Sequence, residues 1–341
     1  MRFNLSPRFD ARNMALVSAL VLSRTGIAPP RWLPPAVLLS IVPQAGFAHG
    51  VGLVGPGDLW THWSLDSSVL APLLVACWLY RRGESDLRGR LGRSARRLPA
   101  WRIAAFVGGV GALVVALLSP LDELSGTLLT AHMVQHALLV TVAPILILFG
   151  HPEIACFRGL PARWRRGLAR DRNVRRLLSA LGAISRPMPA AALHGAMLWL
   201  WHVPALFEAA GALPWLHWLE HVCFLATALL FWRGLVAGWS DRASAAVASL
   251  ASLATLVHSG FLGALLTLGP AVLYPASTRG ASLWGMTPLQ DQQLAGVIMW
   301  APMGAFYLAA GLALAARTLE PTGGRRGSRP VLDDLRPKPS P

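Results

Sequence analysis

The chain has 341 residues, of which 54% are hydrophobic and only 14% are charged, and its formal net charge is +15. This balance predicts a membrane protein and argues against a pair of soluble domains. The basic residues fall in short segments between apolar runs, which is typical of membrane loops and not of a nucleic-acid-binding face. Three scattered cysteines without a C-x-x-C pair argue against a disulfide framework.

Residues 1–48 are predicted to be an N-terminal extension that ends in a signal peptide. A basic residue, Arg31, precedes a short apolar stretch. Gly46 and Ala48 are small residues at positions −3 and −1 of a possible cleavage site after Ala48. Translation could start at Met14 instead of Met1, and cleavage after Ala48 would leave His49 as the mature N-terminus. The alternative is an uncleaved anchor at the membrane interface.

The remaining chain predicts an all-α fold, a polytopic membrane helix bundle with seven transmembrane helices. Residues 49–65 form the expected periplasmic N-terminal segment, residues 66–317 the helical domain, and residues 318–341 a disordered cytoplasmic tail rich in Pro, Gly and Arg. The apolar stretches lie at about 66–80, 102–118, 127–149, 189–210, 213–236, 244–269 and 292–316.

The distribution of arginines between these stretches predicts the orientation. Loops 81–102 and 150–187 carry eight and nine arginines and should be cytoplasmic. Residues 119–126 carry only Asp122 and Glu123 as charged side chains, and residues 208–214 carry no basic residue, so both should face outward. The N-terminus is therefore expected in the periplasm and the C-terminus in the cytoplasm, in agreement with an exported signal sequence.

Histidines from three predicted spans fall at one depth below the outer face. His132 and His136, four residues apart, share one face of the third span, and His217 and His221 do the same on the fifth. His202 reaches the same level on the fourth span, counted at about 1.5 Å per residue. Ionisable side chains within spans usually face a bundle interior and partners, so a shared site is favoured over separate packing roles.

The chemistry of this set predicts a metal site. Neutral imidazoles without thiolates fit copper best, with zinc and iron as alternatives. Asp291 is expected to be a polar partner or occasional ligand, and methionines on the same span are soft auxiliary ligands or packing residues. An amino-terminal His49 would add a further chelate. The predicted copper ligands are His132, His136, His202, His217, His221, Asp291, Met299, Met303 and His49.

Other interpretations of the histidines stay open. His217-Trp218-Leu219-Glu220-His221 matches H-x-x-E-H, in which two histidines bind zinc and the glutamate is the base of a peptidase. No carboxylate downstream is evident as the third zinc ligand, and Glu220 is interpreted as a partner that orients an imidazole or as an interfacial residue. A membrane cytochrome with axial histidines on facing spans is another alternative. A scaffold whose histidines bond one another is a third. His194 and His151 are interpreted as hydrogen-bonded or interfacial residues.

The chain resembles the CtaG family of cytochrome c oxidase assembly factors, the seven-span type associated with caa-type oxidases. The similarity covers about residues 48–316 and does not extend to the first thirty residues or the tail. The segments that carry it are Ala48-His49-Gly50, His132-Met-Val-Gln-His136 with the apolar run to Pro144, Trp201-His202-Val203-Pro204, His217-x-x-Glu220-His221, and Met286 to Gly296 followed by Met299-Trp300.

This resemblance implies a role in maturing a haem-copper oxidase by holding or delivering copper for one of its centres. The implied partners are cytochrome c oxidase subunits and periplasmic copper chaperones, and the implied location is the bacterial inner membrane. Binding and transfer, not enzymatic turnover, would be the activity.

Overall fold

The computed structural model describes residues 52–91 and 99–320. Within them the fold is all-α, as predicted, and no strand is present. The signal-peptide, His49 and tail predictions lie outside the described residues, apart from the first three positions of the tail. The helices are α1 Ser67–Leu91, α2 Ala100–Leu117, α3 Pro120–Ser125, α4 Leu129–Ala137, α5 Ala143–Phe149, α6 Pro152–Gly159, α7 Ala162–Arg170, α8 Arg172–Ile184, α9 Pro187–Trp201, α10 Pro204–Ala212, α11 Pro214–Gly238, α12 Arg242–Leu268 and α13 Pro288–Leu319.

Several of these helices fit a multi-pass membrane protein. Among the described residues, five helical segments are long and apolar enough to cross a bilayer, namely α2, α4 continued through α5, α11, α12 and α13. The bent pair α9 and α10 adds a sixth if it is one span. The predicted first span falls on α1, but its apolar part ends at Arg81 and Arg82, short of the ~20 residues a span needs. The seven-span count therefore stays a prediction.

The third predicted span is continuous but locally widened. A π-helical turn, Leu138–Val142, joins α4 to α5 directly after His136. Pro144 has no N–H to offer the carbonyl of Val140, and the indole of Trp232 on α11 donates to that carbonyl instead, at 2.8 Å. This bond satisfies the buried backbone where the helix is irregular, and it ties α11 to the span that carries two of the histidines.

The fourth predicted span is broken. Helices α9 and α10 meet at an angle of 74° around Trp201-His202-Val203-Pro204. Pro204 begins α10 and disfavours a helical conformation for the residue before it, so the α9 helix ends before the proline. His202 directly follows the last residue of α9, and its side chain is buried.

Helix α13 packs against α12 and also contacts the start of α4. It packs closely against α12 through small residues, because a Cβ added at Gly263 would lie 2.7 Å from the Cβ of Trp300. Its first turn contacts the start of α4, where Asp291 accepts hydrogen bonds from the backbone. The largest hydrophobic cluster includes residues from α4, α9, α11, α12 and α13, so these helices form the framework around the histidines.

Candidate metal centre

Five histidine side chains converge in the interior between α4, α11 and the α9–α10 break. The rings of His132 and His136 lie 4.2 Å apart between centroids, and those of His217 and His221 also lie 4.2 Å apart. Across the helices, the His132 ring is 5.3 Å from that of His217, and the His136 ring is 5.7 Å from that of His221. The helical spacing of four residues therefore produces two facing pairs.

His202 joins this cluster from the broken helix. Its ring centroid is 6.4 Å from that of His136. Its Nδ1 lies 2.7 Å from the carbonyl oxygen of Leu198, and because a carbonyl can only accept, Nδ1 must carry the proton. Nε2 is then the nitrogen with the lone pair, which is the form in which imidazole binds a metal.

A carboxylate lies among the rings. Glu220 on α11 is completely buried, with its oxygens 3.9 Å from Nε2 of His132 and 3.7 Å from Nε2 of His136. The sequence predicts that Glu220 orients one imidazole, and Glu220 is not among the predicted ligands. The signal was available, because a residue three positions after His217 shares its helical face.

The donor atoms are close enough to surround one ion. Among the described residues, the ligand atoms of His132, His136 and His221 all lie within 4.8 Å of one another, and so do those of His132, His217 and Glu220. Bonds from imidazole nitrogen to a metal are about 2 Å long, so side-chain movements of about an ångström would close either set around an ion. His132 is common to both sets.

Hydrogen bonding within the cluster is incomplete. Neither ring nitrogen of His136, nor Nε2 of His202, nor either oxygen of Glu220 has a hydrogen-bond partner within residues 52–91 and 99–320. Buried polar atoms without a partner are costly in an apolar interior, and an ion is one of the few things that can compensate them. The residues present therefore fit a bound metal.

Aromatic side chains shield the cluster from the surrounding apolar core. The ring of Phe207 on α10 lies 4.9 Å from that of His132, and the ring of Phe224 on α11 lies 4.7 Å from that of His136. The hydroxyl of Tyr274 donates to the carbonyl oxygen of His202 at 2.8 Å. Burial raises the pKa of the Tyr274 phenol, so it remains protonated and able to make this bond.

Comparison with known proteins finds a family model that covers most of the chain. Residues 78–320 match the family model described as cytochrome c oxidase caa3 assembly factor. The chain belongs to this assembly-factor family. The match includes every predicted ligand except His49, and it confirms the family resemblance inferred from the histidine motifs.

The individual relatives of this chain are distant. Uncharacterized proteins of Mycobacterium bovis and Mycobacterium tuberculosis are each 26% identical over 260 residues, covering 70% of this chain and 37% of theirs. An uncharacterized protein of Mycobacterium leprae is 23% identical over 256 residues, covering 71% of this chain and 37% of its own. The chain thus spans little more than a third of these relatives. No solved structure matches it.

The other predicted ligands have different surroundings. Both carboxylate oxygens of Asp291 accept backbone N–H groups at the start of α4, from Leu129 at 2.8 Å and Thr130 at 2.9 Å. Met299 and Met303 are buried in the main hydrophobic core. Asp291 thus caps α4 and the two methionines pack in the core, and their roles as ligands stay predictions.

Two histidines outside the cluster, His194 and His151, have ordinary polar partners. His194 lies 3.1 Å from the hydroxyl of Thr227 and 3.2 Å from that of Tyr307, so both ring nitrogens are satisfied. His151 lies 3.2 Å from Glu153 at the start of α6. Both residues fit the hydrogen-bonded role predicted from the sequence.

Proposed function

We propose that this protein assembles a haem-copper cytochrome c oxidase by binding copper in the cluster of His132, His136, His202, His217 and His221 and passing it to an oxidase subunit. Family membership supports the assembly role. The observation that carries the metal step concerns two buried imidazoles. Within the described residues, neither ring nitrogen of His136 has a hydrogen-bond partner, and Nε2 of His202 has none either. The proposed location is the bacterial inner membrane, with seven spans and a periplasmic N-terminus.

Charge favours Cu(I) over a divalent ion at this site. Imidazoles bind metals in their neutral form, so Glu220 would supply the only negative charge among the clustered side chains. One carboxylate with Cu⁺ is neutral, whereas with Zn²⁺ it would leave an uncompensated positive charge in a buried site. Imidazole is also a suitable ligand for copper. A neutral complex would exchange its ligands with those of an acceptor without burying net charge.

The packing of the rings also favours a single small ion over haem. Centroid distances of 4.2 to 6.5 Å among the histidines leave little room for a porphyrin between two axial rings. Purified protein should therefore lack a Soret band. A Soret band that disappears in His136→Ala would support a membrane cytochrome instead.

The decisive experiment is a Cu(I) competition titration of the purified full chain in detergent without oxygen, with a chromophoric Cu(I) chelator. The wild type is expected to bind about one Cu(I). His136→Ala and His202→Ala should each weaken binding by at least tenfold, as loss of a ligand requires. His151→Ala is the matched control, because His151 pairs with Glu153 outside the cluster, and it should bind like the wild type. A wild type that does not compete with the chelator would remove the metal step.

Oxidase assembly in cells tests the transfer step separately. Cells with His136→Ala should accumulate an oxidase deficient in copper, while cells with His151→Ala should not. Normal oxidase copper in His136→Ala cells, with assembly lost only when the whole protein is deleted, would indicate a scaffold without metal.

The remaining alternative, a zinc peptidase with an H-x-x-E-H motif, has a specific test. Because Glu220 lies among the rings, it has the position of a general base as well as that of a ligand. Glu220→Gln keeps the side-chain shape and should lower Cu(I) affinity about 10- to 100-fold. If a proteolytic product disappears from cells with this variant while copper binding is unchanged, the protein is a peptidase.

A further inference from the structure

The segment between α6 and α9 contains two short helices that lie on the surface of the protein. Helices α7 and α8 have no buried residue. Leu177 and Leu178 are 58% and 61% exposed. Exposed leucines of this kind on a folded helix require an apolar environment from outside the chain.

The apolar and basic side chains of α8 lie on opposite sides. Leu181 and Ile184 follow Leu177 by four and seven residues, so the three share one face with Leu178 beside it. Arg172 and Arg176, also four residues apart, share the opposite face with Arg175. Asp171 begins the helix and accepts hydrogen bonds from two backbone N–H groups, so the helix has a defined start.

The charge of this segment is strongly one-sided. Residues 162–184 contain seven arginines and a single acidic residue, Asp171. Arg165 contacts the rest of the protein: it donates to the carbonyl of Arg158 at 2.9 Å and lies 3.6 Å from Asp86. The Arg165 contacts hold the start of the segment against α1 and α6, while the arginines of α8 face outward.

We propose that α7 and α8 form an amphipathic surface, residues 162–184, that binds the anionic phospholipids of the membrane in which the protein lies. The leucine face would enter the boundary between headgroups and acyl chains, and the arginines would contact lipid phosphates. This arrangement satisfies the apolar face and the charge with one partner. The surface would hold the segment before α9 against the membrane and make its ordering depend on lipid charge.

The test uses the full chain in nanodiscs, labelled at one position with an environment-sensitive fluorophore. Cys77, Cys156 and Cys223 are first replaced by Ala, and Leu178→Cys is labelled on the apolar face. Ser179→Cys, on the next and exposed position, is the matched control. In nanodiscs with half phosphatidylglycerol, the label at 178 should shift to shorter wavelength and become protected from an aqueous quencher. In pure phosphatidylcholine, it should be quenched like the label at 179.

Charge variants test the headgroup contacts. The double variant Arg175→Gln, Arg176→Gln should reduce the fraction of label at 178 that is protected in anionic nanodiscs. The ratio of protected to quenched label should fall by about fivefold for each arginine removed. Protection that is equal in the two lipids would overturn the proposal, because the headgroup charge would then be irrelevant. Protection that requires an added protein would overturn it as well and would identify the surface as a protein interface.

Discussion

Asp291 on α13 caps helix α4, which presents two of the clustered histidines. The α4 helix begins at Leu129 without a side-chain cap of its own, and the carboxylate of Asp291 on α13 supplies one from outside. A negative charge at a helix N-terminus is also favoured by the helix dipole. Asp291 therefore fixes the start of the helix that presents His132 and His136, and it would act on the metal through their position.

Replacing Asp291 by Asn separates the capping role from a ligand role. An amide oxygen can accept only in place of one carboxylate oxygen, so one buried N–H loses its partner. The expected cost is about 1–3 kcal/mol in the free energy of unfolding. Measured in detergent, thermal stability should fall, while copper bound per folded molecule should change less than in His136→Ala.

The control for this variant is Asp58→Asn. Asp58 is exposed and makes no side-chain cap at the short helical turn it precedes, so stability should stay within about 0.5 kcal/mol of the wild type. Asp291→Asn protein with unchanged stability and no copper would instead identify Asp291 as a ligand.

At the scale of elements, helices α12 and α13 approach so closely that glycine is required at their contact. A Cβ added at Gly296 would lie 2.6 Å from the backbone nitrogen of Thr267 and 2.7 Å from the carbonyl oxygen of Gly263. Backbone atoms cannot move aside as a flexible side chain can, so any larger residue must separate the helices. Asp291 lies five residues before Gly296 on α13, so this separation would also displace the cap of α4.

Gly296→Ala should therefore destabilise the protein by about 1–3 kcal/mol, the usual range for overpacking. Thermal unfolding in detergent, followed by circular dichroism, would measure it. Gly260→Ala on α12 is the matched control, because a Cβ at that position meets nothing within 4 Å, and no loss of stability is expected. Equal stability of the two variants would show that the α12–α13 contact is looser than described.

The sequence predicts the elements better than their breaks. Apolar runs predict the long helices, but they do not predict the 74° angle between α9 and α10 that follows from the break at Pro204. The arginines of residues 150–187 predict a cytoplasmic loop, but they do not predict that this loop contains the amphipathic helices α7 and α8. Asp291 and Glu220 were identified as polar partners, but which backbone or ring each contacts depends on residues far away in the chain.

At the scale of the whole molecule, the histidine cluster was predictable because depth in a membrane follows from distance along a helix. Two pairs at a spacing of four, each near the same end of its span, could meet only if their helices were neighbours. The adjacency of α4 and α11 was not encoded in either motif. It depends on contacts such as the bond from Trp232 to Val140.

Orientation and span number are tested together by labelling single cysteines in the cysteine-free variant with a membrane-impermeant maleimide on intact spheroplasts. With seven spans, Thr61→Cys and Ala276→Cys should react from outside, whereas Ser179→Cys and Glu320→Cys should react only after permeabilisation. All four positions are exposed in the structure.

Each contrary labelling pattern has a different meaning. If Thr61→Cys alone is protected, α1 does not cross, since its apolar part is short. If Ala276→Cys is protected and Glu320→Cys reacts from outside, the bent pair α9–α10 enters and leaves on one side. In that case His202 would reach the cluster from a re-entrant loop.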